Sequence, residues 1–411
     1  MMVISGAALV LADRVLDAGS VVIDGERIVA IESRAIDAPA GATRVDASGT
    51  IVVPGFIDVH VHGIEGVDVL DGADAVARVA SRLPRYGVTA FCPTTVACPP
   101  VALDGVLAQL EGARPGGEVS ARVLPAHLES NFINPRFKGA QPLGCLRTPL
   151  PIPVHPPAHT HKARADEAEF SGADILEVIG RRRHQIAIVT VAPEIEGGLD
   201  FVQQLTAAGY RVSVGHSGAT YEQTIEAVAA GVCHATHLFN RMSGLNHRAP
   251  GVVGAVLHSE DVAAEVICDG FHVHPALIRL TVRAKGIANV MAITDGTAGS
   301  GLPVGSRTRL GSQPIVVTER TAELEDGTFA GSVLTMDGAF RQLVGQVGLS
   351  VRDAARLCST SPAEQLRLPD LGKLAPGYLA DLVILDRETL RVRSTVINGQ
   401  IWRNTDSTAL V

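Results

Sequence analysis

Cysteine is scarce in the sequence, and the few cysteines that occur are scattered. The 411 residues contain six of them, and no two form a CxxC pair. They lie mostly within apolar runs, at positions 92, 98, 145, 233, 268 and 358. Dispersed cysteines of this kind indicate a reducing compartment. We therefore expect a cytoplasmic protein.

The sequence also lacks an excess of positive charge and a hydrophobic run of membrane length. Lys and Arg number 35 against 43 Asp and Glu, which gives a net charge of −8. No global field therefore attracts nucleic acid or an anionic membrane. Asp13 interrupts the first apolar run well short of the roughly 20 residues that a membrane span needs. We expect neither a nucleic-acid nor a membrane partner.

Hydrophobic residues are abundant, at 46%, so the chain can bury a barrel-sized core and a smaller one. Both ends of the chain have β character. SVVIDGERIVAIE near the start alternates around Asp24-Gly25, and STVINGQIW near the end carries Asn398-Gly399. Such dipeptides suit the positive φ angles of tight hairpin turns. We therefore predict a β-hairpin at each end.

Between these ends, eight short and almost continuous apolar runs alternate with segments of helical length. The runs are FIDVHVH, GVTAFCPTT, RVLPAHLE, IAIVTVAPE, RVSVGH, GVCHATH, AAEVICDG and NVMAITD. Strands that are buried on both faces of a parallel sheet have this appearance. After the fifth run, Thr220 and Gln223 have the spacing of a capping box, and Gly231 supplies a helix stop. Eight strand–helix units predict an α/β protein with a (β/α)8 barrel of the TIM type.

One segment does not fit a barrel helix. Residues 144–170 are rich in proline and contain His155, His159 and His161. Their irregular composition predicts a surface excursion after the third strand. Histidines of a solvated loop can bind metal, but we favour simple exposure to solvent for these three.

Side chains of metal-ligand type stand at the carboxyl ends of the predicted strands. They are His60, His62, Glu129, His216, His237 and Asp295. Alternate residues of a strand point to the same side, so His60 and His62 share one face near the barrel mouth. One His-x-His pair is only moderate support, but four further strand ends with such residues predict a metal site. Imidazole and carboxylate ligands suit Zn²⁺, with Fe²⁺ and Mn²⁺ as alternatives.

His127 and His234 also lie near strand ends. They fit the ligand positions less well than the other histidines do. We therefore expect both to be hydrogen-bonded residues of the core or rim.

A series of motifs in a fixed order carries a family resemblance. PGFIDVHVHG is followed by HLE, INPRFKGA, VTVAPE, VGHSGAT, ATHLFNRM, RAPGVVGAVL, DGFHVHP, ITDGTAGSGLPVG, AGSVLTMDGAF and LAPGYLADLVILD. The sequence resembles the amidohydrolase superfamily, metal-dependent hydrolases on a (β/α)8 barrel. Within it, the motifs from VTVAPE to AGSVLTM are similar to those of the N-acetylglucosamine-6-phosphate deacetylases. The resemblance implies a barrel over residues 52–371 and a small β-sandwich domain formed by residues 1–51 and 372–411.

The resemblance also implies a catalytic divalent metal with three protein ligands, which are Glu129, His216 and His237. Asp295 would be the general acid and base. His60 and His62 stand where many members of the family have no ligand, so they would add a second metal position that Glu129 bridges. We therefore expect one or two divalent ions per subunit, with Zn²⁺ as the first choice.

The expected substrate is a small sugar phosphate, held near the barrel mouth by donors from several loops. The residues implied for substrate binding are Gln141, Asn240, Arg241, Arg248 and His272. In the family, the arginine matching Arg248 reaches the neighbouring site, which implies a homodimer. For Arg241, Arg248 and His272, ordinary loop side chains remain the alternative interpretation.

Two departures from the family pattern bear on the substrate. The family usually has Gly-Pro where this chain has Ser130-Asn131, and a histidine that helps polarise the substrate carbonyl where this chain has Gln141. Gln141 can donate a hydrogen bond but cannot carry a charge. The predicted reaction is removal of acetate from N-acetylglucosamine 6-phosphate. The alternatives are the galactosamine epimer or another N-acyl amino sugar, a different amidohydrolase reaction, and a metal-binding barrel without catalysis.

Overall fold

The computed structural model describes residues 1–111, 119–149 and 169–403. Most of the proline-rich segment 144–170, including His155, His159 and His161, lies outside the described residues, as do residues 404–411. The domain boundaries at residues 51/52 and 371/372 stay predictions. No helix in the described ranges has the length and hydrophobicity needed to cross a membrane.

Short strands and helices alternate along most of the described chain. The strands are β1 Met2–Val10, β2 Val15–Asp24, β3 Arg27–Glu32, β4 Thr43–Asp46, β5 Thr50–Pro54, β6 Phe56–Val61, β7 Gly63–Ile64, β8 Val67–Asp68, β9 Val88–Thr95, β10 Arg122–Val123, β11 Ala126–Glu129, β12 Ile186–Val191, β13 Arg211–Val214, β14 Val232–Ala235, β15 Ala263–Ile267, β16 Val290–Ile293, β17 Arg307–Leu310, β18 Gln313–Val317, β19 Ala322–Glu323, β20 Leu382–Asp386, β21 Val392–Ile397 and β22 Gln400–Arg403. The helices are α1 Ala75–Arg82, α2 Pro100–Gln109, α3 Gly172–Arg181, α4 Gly198–Ala207, α5 Tyr221–Ala230, α6 Gly251–His258, α7 Pro275–Lys285, α8 Met336–Gly345, α9 Val351–Ala355 and α10 Ser361–Gln365.

The eight predicted runs form a parallel barrel, which confirms the predicted fold. Strands β6, β9, β11, β12, β13, β14, β15 and β16 pair in that order, each parallel to the next. Between the first and last strands, Val61 bridges Gly296, and the Thr294 hydroxyl donates a 2.6 Å hydrogen bond to Asp58 Oδ2. These contacts bring the two edges of the barrel together.

The helix cap, the helix stop and the buried strand that the sequence predicts are present in the structure. At the start of α5, the Thr220 side chain accepts a hydrogen bond from the backbone N–H of Gln223, and the Gln223 side-chain oxygen accepts one from the backbone N–H of Thr220. Gly231 ends the helix with a φ of 121°, a conformation that favours glycine. In β9 every residue is buried, as expected of a strand covered by side chains on one face and by helices on the other.

The chain ends join in one mixed eight-stranded sheet. Its order is β22-β21-β20-β5-β1-β2-β3, and β4 pairs beside β1. The antiparallel pairing of β5 with β20 connects the start of the chain to its end. Both predicted hairpins are present. In the second, Asn398 and Gly399 have φ angles of 49° and 72°, which match the twist of a two-residue hairpin loop.

Gly55 lies at the junction between the end sheet and the first barrel strand, and its tight packing gives a testable prediction. A Cβ there would lie 2.2 Å from the Thr89 hydroxyl oxygen and 2.4 Å from its methyl carbon. Gly55→Ala should therefore lower the free energy of unfolding by about 2 kcal/mol through overpacking, measured as a lower thermal midpoint.

Gly105→Ala is the matched control, since this glycine is exposed on α2 and a Cβ there meets nothing within 4 Å. The control should leave the midpoint unchanged or raise it slightly, because alanine favours the helix. Equal midpoints for Gly55→Ala and the unchanged protein would contradict the packing described at this junction.

Candidate active site

The barrel brings together all six side chains that the sequence placed at strand ends. His60 lies in β6 and His62 just after it, and Glu129 is the last residue of β11. His216, His237 and Asp295 each follow the last residue of a strand by two positions. All six are buried. The carboxyl ends of parallel strands share one face of a barrel, so distant segments meet there.

Three of these residues have an unusual backbone conformation. The φ angles are 47° at His216, 30° at His237 and 49° at Asp295, all in the left-handed region. Residues other than glycine adopt this region rarely and at a cost of roughly 1–3 kcal/mol, and such residues cluster at functional sites. The surrounding barrel holds the chain in this conformation at the three strand ends.

Glu129, His216 and His237 form the first cluster. Glu129 Oε1 lies 2.7 Å from His216 Nε2 and 2.8 Å from His237 Nε2, and the two nitrogens are 3.1 Å apart. Two ligands about 2.0 Å from a tetrahedral Zn²⁺ are roughly 3.3 Å apart. The three atoms are therefore spaced nearly as ligands of one small cation would be.

His60, His62 and Asp295 form a second cluster beside the first. The Nε2 atoms of the two histidines are 3.2 Å apart, and Asp295 Oδ1 lies 3.4 Å from His60 Nε2 and 3.2 Å from His62 Nε2. Glu129 faces this cluster as well, with Oε2 3.6 Å from His62 Nε2. One carboxylate thus stands between two groups of imidazoles.

The imidazole rings are held so that Nε2 faces inward. Nδ1 of His62 contacts the carbonyl of Thr94 at 3.0 Å, and Nδ1 of His216 contacts the carbonyl of Phe137 at 2.8 Å. A carbonyl can only accept, so each Nδ1 carries a hydrogen. The lone pair of each neutral ring then lies on Nε2, which is how metal-ligating histidines are oriented in proteins. The donor set therefore fits a divalent metal.

Glu265 is a site residue that sequence reasoning missed. It is fully buried in β15, and Oε2 lies 2.9 Å from His60 Nδ1 while Oε1 lies 2.8 Å from His234 Nε2. A signal was present in the sequence, because Glu265 is an acid within the apolar run AAEVICDG. His127 contacts the Val59 carbonyl at 3.1 Å and the Thr190 hydroxyl at 2.8 Å. His127 and His234 are thus hydrogen-bonded core residues, as predicted.

A cavity of about 350 Å³ opens over the two clusters. Four of the five predicted substrate-binding residues line it, namely Gln141, Asn240, Arg241 and His272. His272 is oriented by Asp269, whose Oδ2 lies 2.6 Å from His272 Nδ1. Arg248 is exposed and does not line this cavity. Its predicted role in a neighbouring site stays a prediction.

The two departures from the family pattern have different surroundings. The Gln141 side chain accepts a 2.7 Å hydrogen bond from the backbone N–H of Ala97, which leaves its amide nitrogen to donate to Glu129 Oε2. Ser130 donates to the Thr190 carbonyl, and Asn131 donates to the carbonyls of two cysteines. Gln141 thus belongs to the site, whereas Ser130-Asn131 secures the backbone around it.

Comparison with known proteins identifies the family. Residues 51–402 match the amidohydrolase family. The chain belongs to this family. Its metal-ligand side chains at the barrel mouth agree with that membership, although the roles of the individual residues stay predictions.

The similar proteins include deacetylases of two amino-sugar phosphates. This amidohydrolase is 34% identical over 368 residues to the N-acetylglucosamine-6-phosphate deacetylase of Lysinibacillus sphaericus, covering 89% of each chain. It is also 34% identical to the N-acetylgalactosamine-6-phosphate deacetylase of Escherichia coli O157:H7, covering 88% of this chain and 90% of that one. The percentage of identical residues therefore does not indicate which of the two sugar phosphates is the substrate.

A solved structure agrees over nearly the whole length. A variant of N-acetyl-D-glucosamine-6-phosphate deacetylase from Mycobacterium smegmatis, in complex with N-acetyl-D-glucosamine-6-phosphate, has a TM-score of 0.84 and 31% identity to this amidohydrolase. The match covers 97% of this chain and 98% of that one. The barrel and the end sheet are therefore shared with this enzyme.

The two clusters hold protons tightly in the metal-free amidohydrolase. Burial lowers the pKa of His62, but the hydrogen bond to Asp295 and the charges of Glu129 and Asp295 outweigh it and raise the pKa to about 9. Burial likewise lowers the pKa of His237, but the hydrogen bond to Glu129 and the nearby carboxylates raise it to about 9. Burial raises the pKa of Glu129, yet His216 and His237 hold it well below its usual range. The surroundings of these side chains therefore favour a positive charge among them.

These pKa values predict that metal binding releases protons. A metal needs the Nε2 lone pair, whereas His62 and His237 are protonated below pH 9 in the metal-free protein. Filling the clusters with Zn²⁺ at pH 7.5 should release about two protons per chain, and affinity should rise with pH until it levels off near pH 9. Calorimetry in buffers of different ionisation enthalpy measures the number of protons.

His62→Gln provides the control, because it removes one of the two titrating rings while retaining a polar side chain. The number of protons released should fall by about one. Binding of Zn²⁺ by the unchanged protein without proton release would show that these two rings are neutral or are not ligands.

Proposed function

We propose that this amidohydrolase removes acetate from N-acetylglucosamine 6-phosphate and gives glucosamine 6-phosphate. The observation that carries the proposal is Asp295, which borders the cavity as part of the second cluster, beside the Glu129 carboxylate that both clusters share. The deacetylases that match over about nine-tenths of the chain support the substrate class. Deacetylation of N-acetylgalactosamine 6-phosphate is the second candidate, because a relative with that name is equally identical.

We infer one or two divalent ions, with Zn²⁺ as the first choice. Glu129, His216 and His237 would hold the first ion, and His60 and His62 would hold the second, with Glu129 between them. When bound, the metal supplies Lewis-acid activation of water and of the acyl carbonyl. Fe²⁺ or Mn²⁺ would suit the same ligands.

Asp295 moves the proton in the proposed reaction. Water adds its oxygen to the acyl carbon, and the C–N bond to the sugar breaks. Asp295 accepts the proton that the water loses and donates it to the leaving nitrogen, since an unprotonated amide anion is a very poor leaving group. Burial raises the pKa of Asp295, but the neighbouring histidines lower it below the ordinary value, which favours the base form at the start.

Gln141 has two tasks in this proposal. Its carbonyl oxygen is engaged by Ala97, and its amide nitrogen donates to Glu129. A side-chain amide carries two hydrogens, so one orients Glu129 and the other is available to the acyl group. Because Gln141 carries no charge, a charge that polarises the carbonyl would come from a bound metal, and His60 and His62 would hold the second ion.

The phosphate is the group that the charged part of the cavity would bind. Arg241, His272 and Asn240 line the cavity and offer hydrogen-bond donors, and the Arg241 guanidinium adds a fixed positive charge. Arginine binds phosphate oxygens through paired hydrogen bonds. In the proposed homodimer, Arg248 of one subunit completes the phosphate site of the other.

Acetate release from four sugars tests the proposed function. N-acetylglucosamine 6-phosphate should be hydrolysed, and removal of its phosphate should reduce kcat/KM on the order of 100-fold, because charge-assisted hydrogen bonds are lost. Parallel assays of the galactosamine phosphate and its unphosphorylated form identify the preferred epimer. Arg241→Met is the control for the phosphate contact and should reduce the preference for both phosphorylated sugars. Failure of metal-loaded protein to release acetate from any of them would contradict the proposal.

Asp295→Asn tests the proton transfer. The amide has the same shape but cannot accept and return a proton, so kcat should fall by at least 10²-fold. Metal content, measured by mass spectrometry of the purified variant, should retain the ion at Glu129, His216 and His237. Turnover equal to that of the unchanged enzyme would remove Asp295 from the mechanism.

A further inference from the structure

Glu265 is a buried acid whose carboxylate pairs with three histidine side chains and accepts a 3.3 Å hydrogen bond from the backbone N–H of His237. Its side chain is fully buried within the barrel, and its ion pairs are to His60, His127 and His234. A buried carboxylate without a compensating positive charge is strongly unfavourable. Such a residue in the barrel interior therefore calls for a cation nearby.

The hydrogen bonds of the three histidines indicate where that cation would lie. His127 Nδ1 lies 3.1 Å from the Val59 carbonyl and 3.5 Å from Glu265, so its closer partner is the carbonyl. His234 contacts the other carboxylate oxygen, Oε1, and its buried Nδ1 has no hydrogen-bond partner within the part of the chain that the structure describes. Of the three histidines, His60 is the one that connects Glu265 to the second cluster, through a contact of 2.9 Å.

The contact with Glu265 fixes which atom His60 presents to the site. Because Nδ1 faces a carboxylate, it carries the hydrogen, and Nε2 is left to face His62 and Asp295 at 3.2 and 3.4 Å. A carboxylate that orients a histidine in this way also increases the basicity of its other nitrogen. By contrast, the His216 ring is oriented by a neutral carbonyl.

We propose that Glu265 is the positioning residue of the second metal position. It holds His60 with Nε2 toward a divalent cation bound by His60 and His62, and its negative charge offsets part of the charge of that cation. This inference rests on the proposed function, because it requires a metal at the second position. It goes beyond that function by making occupancy of the second position depend on a residue that touches neither metal nor substrate.

His60, His127 and Glu265 do not form a further metal position between them. Their ligand-type atoms lie close together, but His127 Nδ1 faces a carbonyl and His60 Nδ1 faces Glu265 as hydrogen-bonding atoms. Hydrogens on these nitrogens exclude a metal from the space between them. His127 and Glu265 therefore act as hydrogen-bonding partners behind the second metal position rather than as ligands of a third ion.

Metal binding by Glu265→Gln tests the proposal. Glutamine keeps the size of the side chain and removes the charge. Titration of metal-free protein with Zn²⁺, followed by mass-spectrometric metal analysis, should give two ions for the unchanged protein. The variant should bind the second ion about 10- to 100-fold more weakly and the first ion with unchanged affinity. After loading with Co²⁺, the absorption spectrum of the variant should differ from that of the unchanged protein only by the loss of the second ion's contribution.

Glu194→Gln is the matched control. Glu194 is also an acid that follows a barrel strand, but its partners are Asn134, Ser217 and the N–H of Gly218, all of which donate hydrogen bonds to it. This variant should keep both ions. If Glu265→Gln fails to fold, Glu265→Asp keeps the charge and moves it away from His60, so weaker binding of the second ion is again expected.

The outcomes separate the inference from the function on which it rests. If the unchanged protein binds one ion or none, the second metal position is wrong. If it binds two ions and the Glu265 variant binds both with the same affinities, the role of Glu265 is overturned. Loss of both ions from a folded variant would also overturn it, since the effect would not be specific to His60.

Discussion

The site depends on one carboxylate placed among four imidazoles. Glu129 presents Oε1 to His216 and His237 and Oε2 toward His62. In a buried site, this concentration of donor atoms is stable only when a cation, either protons or a metal, lies between them. The raised pKa values of His62 and His237 express this requirement in the metal-free protein. A divalent metal that displaced these protons would meet the same requirement.

The barrel supplies the geometry that such a site needs. The strands contribute residues at their carboxyl ends to one face, and hydrogen bonds behind the rings of His60, His62 and His216 fix the orientation of these three. The left-handed conformations of His216, His237 and Asp295 show that the backbone accepts local strain to aim these side chains inward. The large buried core, rather than the site itself, provides the stability that offsets this strain. Catalytic geometry and fold stability are therefore contributed by different parts of the same strands.

The sequence predicts those features that depend on neighbouring residues. The hairpin at Asn398-Gly399 and the helix cap at Thr220 are set by local conformational preferences, and the structure contains both. The metal-ligand side chains were also visible, because each lies at or just after the end of an apolar run. The acid at Glu265 was visible within an apolar run, but its pairing with His60, 205 residues away in the chain, was not. The bond between Gln141 and Glu129 likewise depends on how a loop returns to the barrel.

The central claim is that the two clusters sharing Glu129 are metal positions. Anomalous diffraction at the zinc absorption edge, from crystals of zinc-loaded protein, tests it most directly. We predict one peak enclosed by Glu129, His216 and His237 and a second beside His60 and His62. Anomalous peaks found only elsewhere on the protein, with Glu129 bound to no metal, would contradict it.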